Sequence, residues 1–190
     1  MKCKPKFGVV LKNGTAACVL WALMASWAVA APEQDSKLAE TEFARGNLLV
    51  AIDLWRSAAQ QGYAPAQARL GDVLDAAEED EEAVKWYRKA AEQKYAAGEF
   101  GLGQMYAKGD GVAKDFEQAR LYILRAAEQG NLFGAVAMME AYRSGGLGLE
   151  KDAEKAAAWE AKVVAMAPHY KRPPPEEIGT GKKKKKRSTP

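Results

Sequence analysis

His169 is the only histidine in the 190 residues, and the cysteines are Cys3 and Cys18. A histidine-based triad needs an imidazole held among packed elements, and a histidine metal site needs several such rings. His169 follows Pro168, beyond the last helical pattern, and reads as an exposed bystander. Gly179-Thr180-Gly181-Lys182 spells the end of a phosphate-binding loop, but that motif requires glycine where Glu176 stands and Ser or Thr where Lys183 stands. Gly109-Asp110-Gly111 with Asp115 lacks the alternating acids and distal glutamate of a calcium loop, so loop geometry is the simpler reading.

Carboxylates are more plentiful. The run from Asp75 to Glu82 contains Glu78, Glu79, Asp80, Glu81 and Glu82 in succession. It can hold a cation or a basic partner, and it equally suits the start of a helix, where acids meet the positive end of the dipole. No two acids show the pocket context that acid–base catalysis requires. The residues therefore point to a chain without catalysis, cofactor or metal. A carboxylate-dependent enzyme of the envelope or cell wall is the alternative.

Charge is distributed unevenly. Residues 1–13 carry Lys2, Lys4, Lys6 and Lys12 and no acid, and an apolar run over 16–31 follows. It ends in Ala28-Val29-Ala30, the small-x-small pattern of a signal-peptidase site, so 1–30 is expected to be a secretory signal cleaved after Ala30. The run is shorter than the ~20 apolar residues of a membrane-spanning helix, which leaves an uncleaved anchor as the second reading. Cys18 lies at the start of the apolar run, whereas a lipidated cysteine belongs at its end. Processing would remove both cysteines, leaving an exported chain without disulfides and without a transmembrane segment, periplasmic or secreted. Residues 31–170 hold 16 Lys and Arg against 23 Asp and Glu, whereas 171–190 hold 8 against 2: an acidic body with a basic tail.

The elements that position these groups are repeats. Ala90-Ala91-Glu92-Gln93 recurs 36 residues later as Ala126-Ala127-Glu128-Gln129, and a weaker copy, Ala58-Ala59-Gln60-Gln61, lies 32 residues upstream. Leu70-Gly71, Leu102-Gly103 and Met138-Met139 keep the same phase, as do Ala83, Ala119 and Ala156, and then Trp86, Tyr122 and Trp159. Each unit holds two stretches with apolar residues at intervals of three and four, such as Ala66, Leu70, Leu74 and then Ala83, Trp86, Ala90, so each unit is a helical hairpin. Trp86 or Tyr122 is expected to fill the space between successive hairpins. Gly109 and Gly111 supply the turn after one helix, Asp115 caps the next with Gln118 completing a capping box, and Asp80 caps the helix after the shorter turn. The pattern predicts an all-α chain of eight helices in about four pairs from Ser36 to Ala167, within a domain at 31–167. Its first pair spans 37–45 and 47–61, its last helix 153–166.

The order Leu-Gly-x-x-Tyr, Gly-x-Gly-Val, Asp, then Lys-Ala-Ala-Glu-Gln resembles the Sel-one-like repeat, a relative of the tetratricopeptide repeat. Its fullest match runs from Leu102 to Gly130, through Gly109, Gly111, Val112, Asp115, Ala126, Ala127, Glu128 and Gln129. The first unit lacks the glycine loop and the last lacks the alanine-rich ending, as terminal units often do. The resemblance implies an α–α superhelix, a right-handed solenoid, used as an adaptor or scaffold, in bacteria often an exported one. Fold likeness alone does not fix a function.

A solenoid binds peptides on its concave side, lined by the first helix of each hairpin. Opposite Ala66, Leu70 and Leu74 lie Arg69 and Asp72, with Phe100 and Gln104, then Val136 and Glu140, at equivalent places; these are the candidate partner-binding residues, and solvated background is the alternative for each. Phe100, read as an exposed aromatic, is the first to test. From Pro168 the character changes: Pro173-Pro174-Pro175 favours an extended chain, and Lys182, Lys183, Lys184, Lys185, Lys186 and Arg187 form a basic block. The tail at 168–190 is expected to be disordered when free. It is suited to an anionic envelope surface, to the acidic body, or to solubility alone. No aromatics are interleaved with it for stacking on nucleic-acid bases.

Overall fold

The computed structural model describes residues 31–170, whose regular structure is entirely α-helical. The signal segment at 1–30 and the polybasic tail fall outside the described residues. Eight helices follow one another: α1 (Pro32–Ala44), α2 (Leu48–Gln60), α3 (Ala64–Ala76), α4 (Asp80–Glu92), α5 (Ala96–Lys108), α6 (Phe116–Glu128), α7 (Leu132–Ser144) and α8 (Ala153–Met166). They pair as the hairpins α1/α2, α3/α4, α5/α6 and α7/α8, as the repeats predict. Helix α1 starts at Pro32, ahead of the expected Ser36, because proline in the first turn brings a helical φ and lacks only an N–H that would have no partner there. The chain divides into two compact units between Tyr63 and Ala64.

The first unit is α1/α2. Ala39, Ala51, Trp55, Ala58 and Ala59 are buried, and the Phe43 ring lies 5.5 Å from that of Trp55. A polar relay joins the helices: Gln61 Nε2 donates to Ser57 Oγ, which donates to Asp35 Oδ2, each over 3.4 Å.

In the second unit three hairpins stack, with α4 against α5 and α6 against α7. Small residues set the spacing. Tyr87 lies with its ring against the Cα atoms of both Gly71 on α3 and Gly101 on α5, where a methyl on either glycine would collide with it. The ring between these helices is thus Tyr87, the neighbour of Trp86. Tyr122 stacks within its own hairpin, parallel to Tyr106 at 6.0 Å. Further along, Ile123, Ala127, Met138, Met139, Trp159 and Val163 form a buried cluster that carries the core from α6 into the last hairpin.

Caps confirm some turn expectations and correct others. Gly109 ends α5 in the left-handed region at φ +83°, its N–H on the Met105 carbonyl. Asp115 Oδ1 accepts from the N–H groups of Glu117 and Gln118 at 2.9 and 3.1 Å. The Asp115 N–H, which a capping box would give to the Gln118 side chain, donates to the Tyr106 carbonyl instead. Asp80 is not a cap: the shorter turn puts Glu79 at the boundary with no side-chain bond, and Asp80 becomes the first helical residue, acting through the dipole.

Candidate functional site

Helices α3, α5 and α7 each have thirteen residues, so their positions correspond one to one. Asp72, Gln104 and Glu140 are each the ninth residue of their helix, and Phe100 and Val136 are each the fifth. Arg69 departs from this column. It is the sixth residue of α3, the counterpart of Gly101 and Ala137, while the fifth, Ala68, is buried.

Gln104 and Glu140 face the same groove between α5 and α7, of about 300 Å³, with Ile123, Ala137 and Leu147 among its walls and Lys108 at its edge. One carboxylate, one amide and one ammonium thus rim an apolar trough. Glu140 is already engaged, its Oε1 3.0 Å from Arg143 Nη1, and Arg143 Nη2 reaches Glu160 Oε2 at 3.1 Å.

Phe100 is half-buried, and its ring stacks on Phe133 with centroids 6.1 Å apart. The exposed aromatic of this face is therefore Phe133, at 68% exposure. The periodic reading missed it because it occupies the second position of α7, where α3 and α5 carry Pro65 and Ala97. Val136 is half-buried against the terminal cluster.

At the other end of the column, Asp72 is held by its own fold. Tyr87 Oη donates to Asp72 Oδ1 at 2.8 Å, and Arg69 Nη1 stands 3.7 Å from Oδ2. Burial pushes the Asp72 carboxyl above its usual range despite both partners. Burial, together with the adjacent carboxylate, pushes the Tyr87 phenol well above its ordinary value, so this hydroxyl remains a donor at physiological pH.

A second polar feature was not anticipated. Glu99 is 2% exposed and accepts from Gln129 Nε2 of its hairpin partner. Burial raises its pKa, opposed by the bond from Gln129 and by Arg125 and Lys94. In the preceding hairpin Gln93 Nε2 donates to Gln67 Oε1 over 2.8 Å at the same two places. The signal was present in the recurring Ala-Ala-Glu-Gln motif, whose last residue makes this clasp.

Among the described residues, no group of three or more His, Cys, Asp or Glu side chains can hold a metal ion, and no helix is long and apolar enough to cross a membrane. Of the acidic run, Asp80, Glu81 and Glu82 form the first turn of α4, and Asp75 stands 3.8 Å from Lys108.

Comparison with known proteins agrees with this architecture. The Sel1 repeat model matches residues 44–63, 64–95, 96–131 and 136–159. The chain is similar to chitin synthase regulatory factor 3 of Schizosaccharomyces pombe, 34% identical over 118 residues, which cover 57% of this chain and 12% of that protein. Among solved structures it is similar to a Sel1 repeat protein from Oxalobacter formigenes, with a TM-score of 0.67 and 25% identity over 78% of this chain and 61% of that one. It is also similar to c5321, a protective antigen present in uropathogenic Escherichia coli strains and displaying an SLR fold. There the TM-score is 0.65 and the identity 32%, over 78% of this chain and 33% of the other.

Proposed function

The chain belongs to the Sel1 repeat family, and on that premise we propose that it is a non-catalytic scaffold, exported after cleavage behind Ala30, that holds a protein segment along α5 and α7. The observation that supports this most is the groove rimmed by Gln104, Glu140 and Lys108, with the exposed ring of Phe133 near the start of α7, one of the helices that line it. An apolar trough with a few polar groups and a projecting aromatic is what an extended or helical peptide needs for burial and register. The likeness to a protein described as a regulatory factor favours binding without chemistry.

Photo-crosslinking in the native envelope tests the reading. A photoreactive residue at Gln104 or Phe133 is expected to give a discrete protein adduct, and one at Asp53 none. Equal labelling at all three, or none at any, removes the surface from the proposal. Fractionation with N-terminal sequencing tests export, with Ala31 as the expected first residue. Turnover of cell-wall material that a single carboxylate substitution abolishes would replace the scaffold by an enzyme.

The basic block Lys182 to Arg187 supports a second attachment. Six cations near an anionic membrane contribute about 1 kcal/mol each. Deleting them is expected to weaken vesicle binding most at low salt, and equal binding with and without them discards this attachment.

A further inference from the structure

The second helices of the later hairpins begin with acids or mixed residues: Asp80-Glu81-Glu82, Phe116-Glu117-Gln118 and Ala153-Glu154-Lys155. Helix α2 begins with Leu48-Leu49-Val50, which are 46, 79 and 50% exposed and have no acid in the turn beside them. The connection from α1 is only Arg45-Gly46-Asn47, so Phe43, half exposed near the end of α1, lies close to the same tip. Four large apolar side chains thus gather where the other hairpins place charge.

The geometry of three successive helical residues selects the kind of partner. Their side chains point about 100° apart and together span more than half the circumference, whereas sideways packing on another helix covers a stripe of about 100°. A groove would leave at least one of the three in water. A fluid apolar medium entered end-on covers all of them. Charge selects further: Arg45 beside the tip is 64% exposed, and Glu42, its partner at 2.6 Å, only 14%. At the tip itself the more exposed charge is thus the cationic one, and the exposed Asp53 lies further along α2.

We propose that the α1/α2 tip inserts into the boundary between headgroups and acyl chains of an anionic phospholipid bilayer, with Phe43, Leu48, Leu49 and Val50 in the apolar layer and Arg45 at the phosphates. This is peripheral insertion of the kind that reaches about 5–10 Å. It is independent of the peptide surface on α5 and α7 and of the basic block.

The test compares residues 31–190 and the Leu49→Glu variant in co-sedimentation with vesicles of phosphatidylglycerol and phosphatidylcholine. Glutamate is the residue that the later hairpins carry at this place and suits the first turn of a helix, so the melting temperature should hold or rise. Vesicle partitioning is expected to fall about tenfold, the equivalent of one buried leucine. A polarity-sensitive dye on Leu49→Cys should shift to the blue with vesicles, and one on Asp53→Cys should not. Deletion of 182–187 in the same assay separates the tail, and the proposal requires the Leu49→Glu loss to persist in that background. Equal partitioning of wild type and Leu49→Glu overturns it. So does sedimentation velocity showing that the tip joins two copies of the chain, with dimers that Leu49→Glu dissolves and no uptake on vesicles.

Discussion

Glu99 holds in α5 the fourth position that Gln67 holds in α3, and each is reached by the glutamine that follows the second helix of its hairpin, Gln129 and Gln93 respectively. One clasp is amide to amide and the other amide to a carboxyl group buried to 2% exposure. The array thus contains its own control for the cost of a buried charge.

Because burial raises the Glu99 pKa, the folded chain holds that proton more tightly than the unfolded chain does. The contribution is most favourable below the unfolded value, about 4.3, and is lost as pH rises through the folded pKa. Glu99→Gln should therefore raise the melting temperature by a few degrees at pH 7, and the gap should close toward pH 4. A gap that widens on acidification would contradict this sign. Thermal melts across pH provide the comparison.

Gly101→Ala tests the seat of Tyr87. Alanine in place of glycine ordinarily stabilises a helix by up to about 1 kcal/mol. Here the added methyl would strike the Tyr87 ring, which is also flanked by Gly71 and tethered through its hydroxyl to Asp72. A loss of about 1–3 kcal/mol is expected instead, read by urea denaturation. Tyr87→Phe keeps the ring and should cost about 1 kcal/mol for the missing hydrogen bond.

The two caps should separate cleanly. Asp115→Ala removes the acceptor for two helix N–H groups and should cost about 1 kcal/mol. Asp80→Ala removes only a dipole interaction and should cost a few tenths. Equal losses in chemical denaturation would show that Asp80 caps α4 after all.

Phe133→Ala should leave the melting temperature nearly unchanged, because the ring is 68% exposed. Partner affinity, once the crosslinked protein is identified, should fall at least tenfold by calorimetry if this ring is an anchor.

Helix number and pairing were legible in the sequence because repeats report the same burial several times. A face carried by Ala66, Leu70 and Leu74 and then by Leu102 and Tyr106 leaves little choice of period. Individual contacts were less legible where adjacent residues compete for one role. Trp86 and Tyr87 are both large aromatics, and only the placement of Gly71 and Gly101 shows which ring enters the gap. Gln104 and Glu140 meet in one groove because they share a helical position, whereas Arg69 was assigned one residue off the column. Phe133 and the tip at Leu49 escaped notice for a common reason: both break the repeat, and a search for recurrence passes over what occurs once.

Among the described residues seven of the eight helices have thirteen residues and the last has fourteen, while the connection inside a hairpin is three residues in α3/α4 and seven in α5/α6. Those four extra residues account for the change in spacing from 32 to 36. Evolution can therefore lengthen or shorten such an array at its hairpin turns without disturbing the columns of side chains. A single residue gained inside a helix would rotate everything after it by about 100° and misalign those columns.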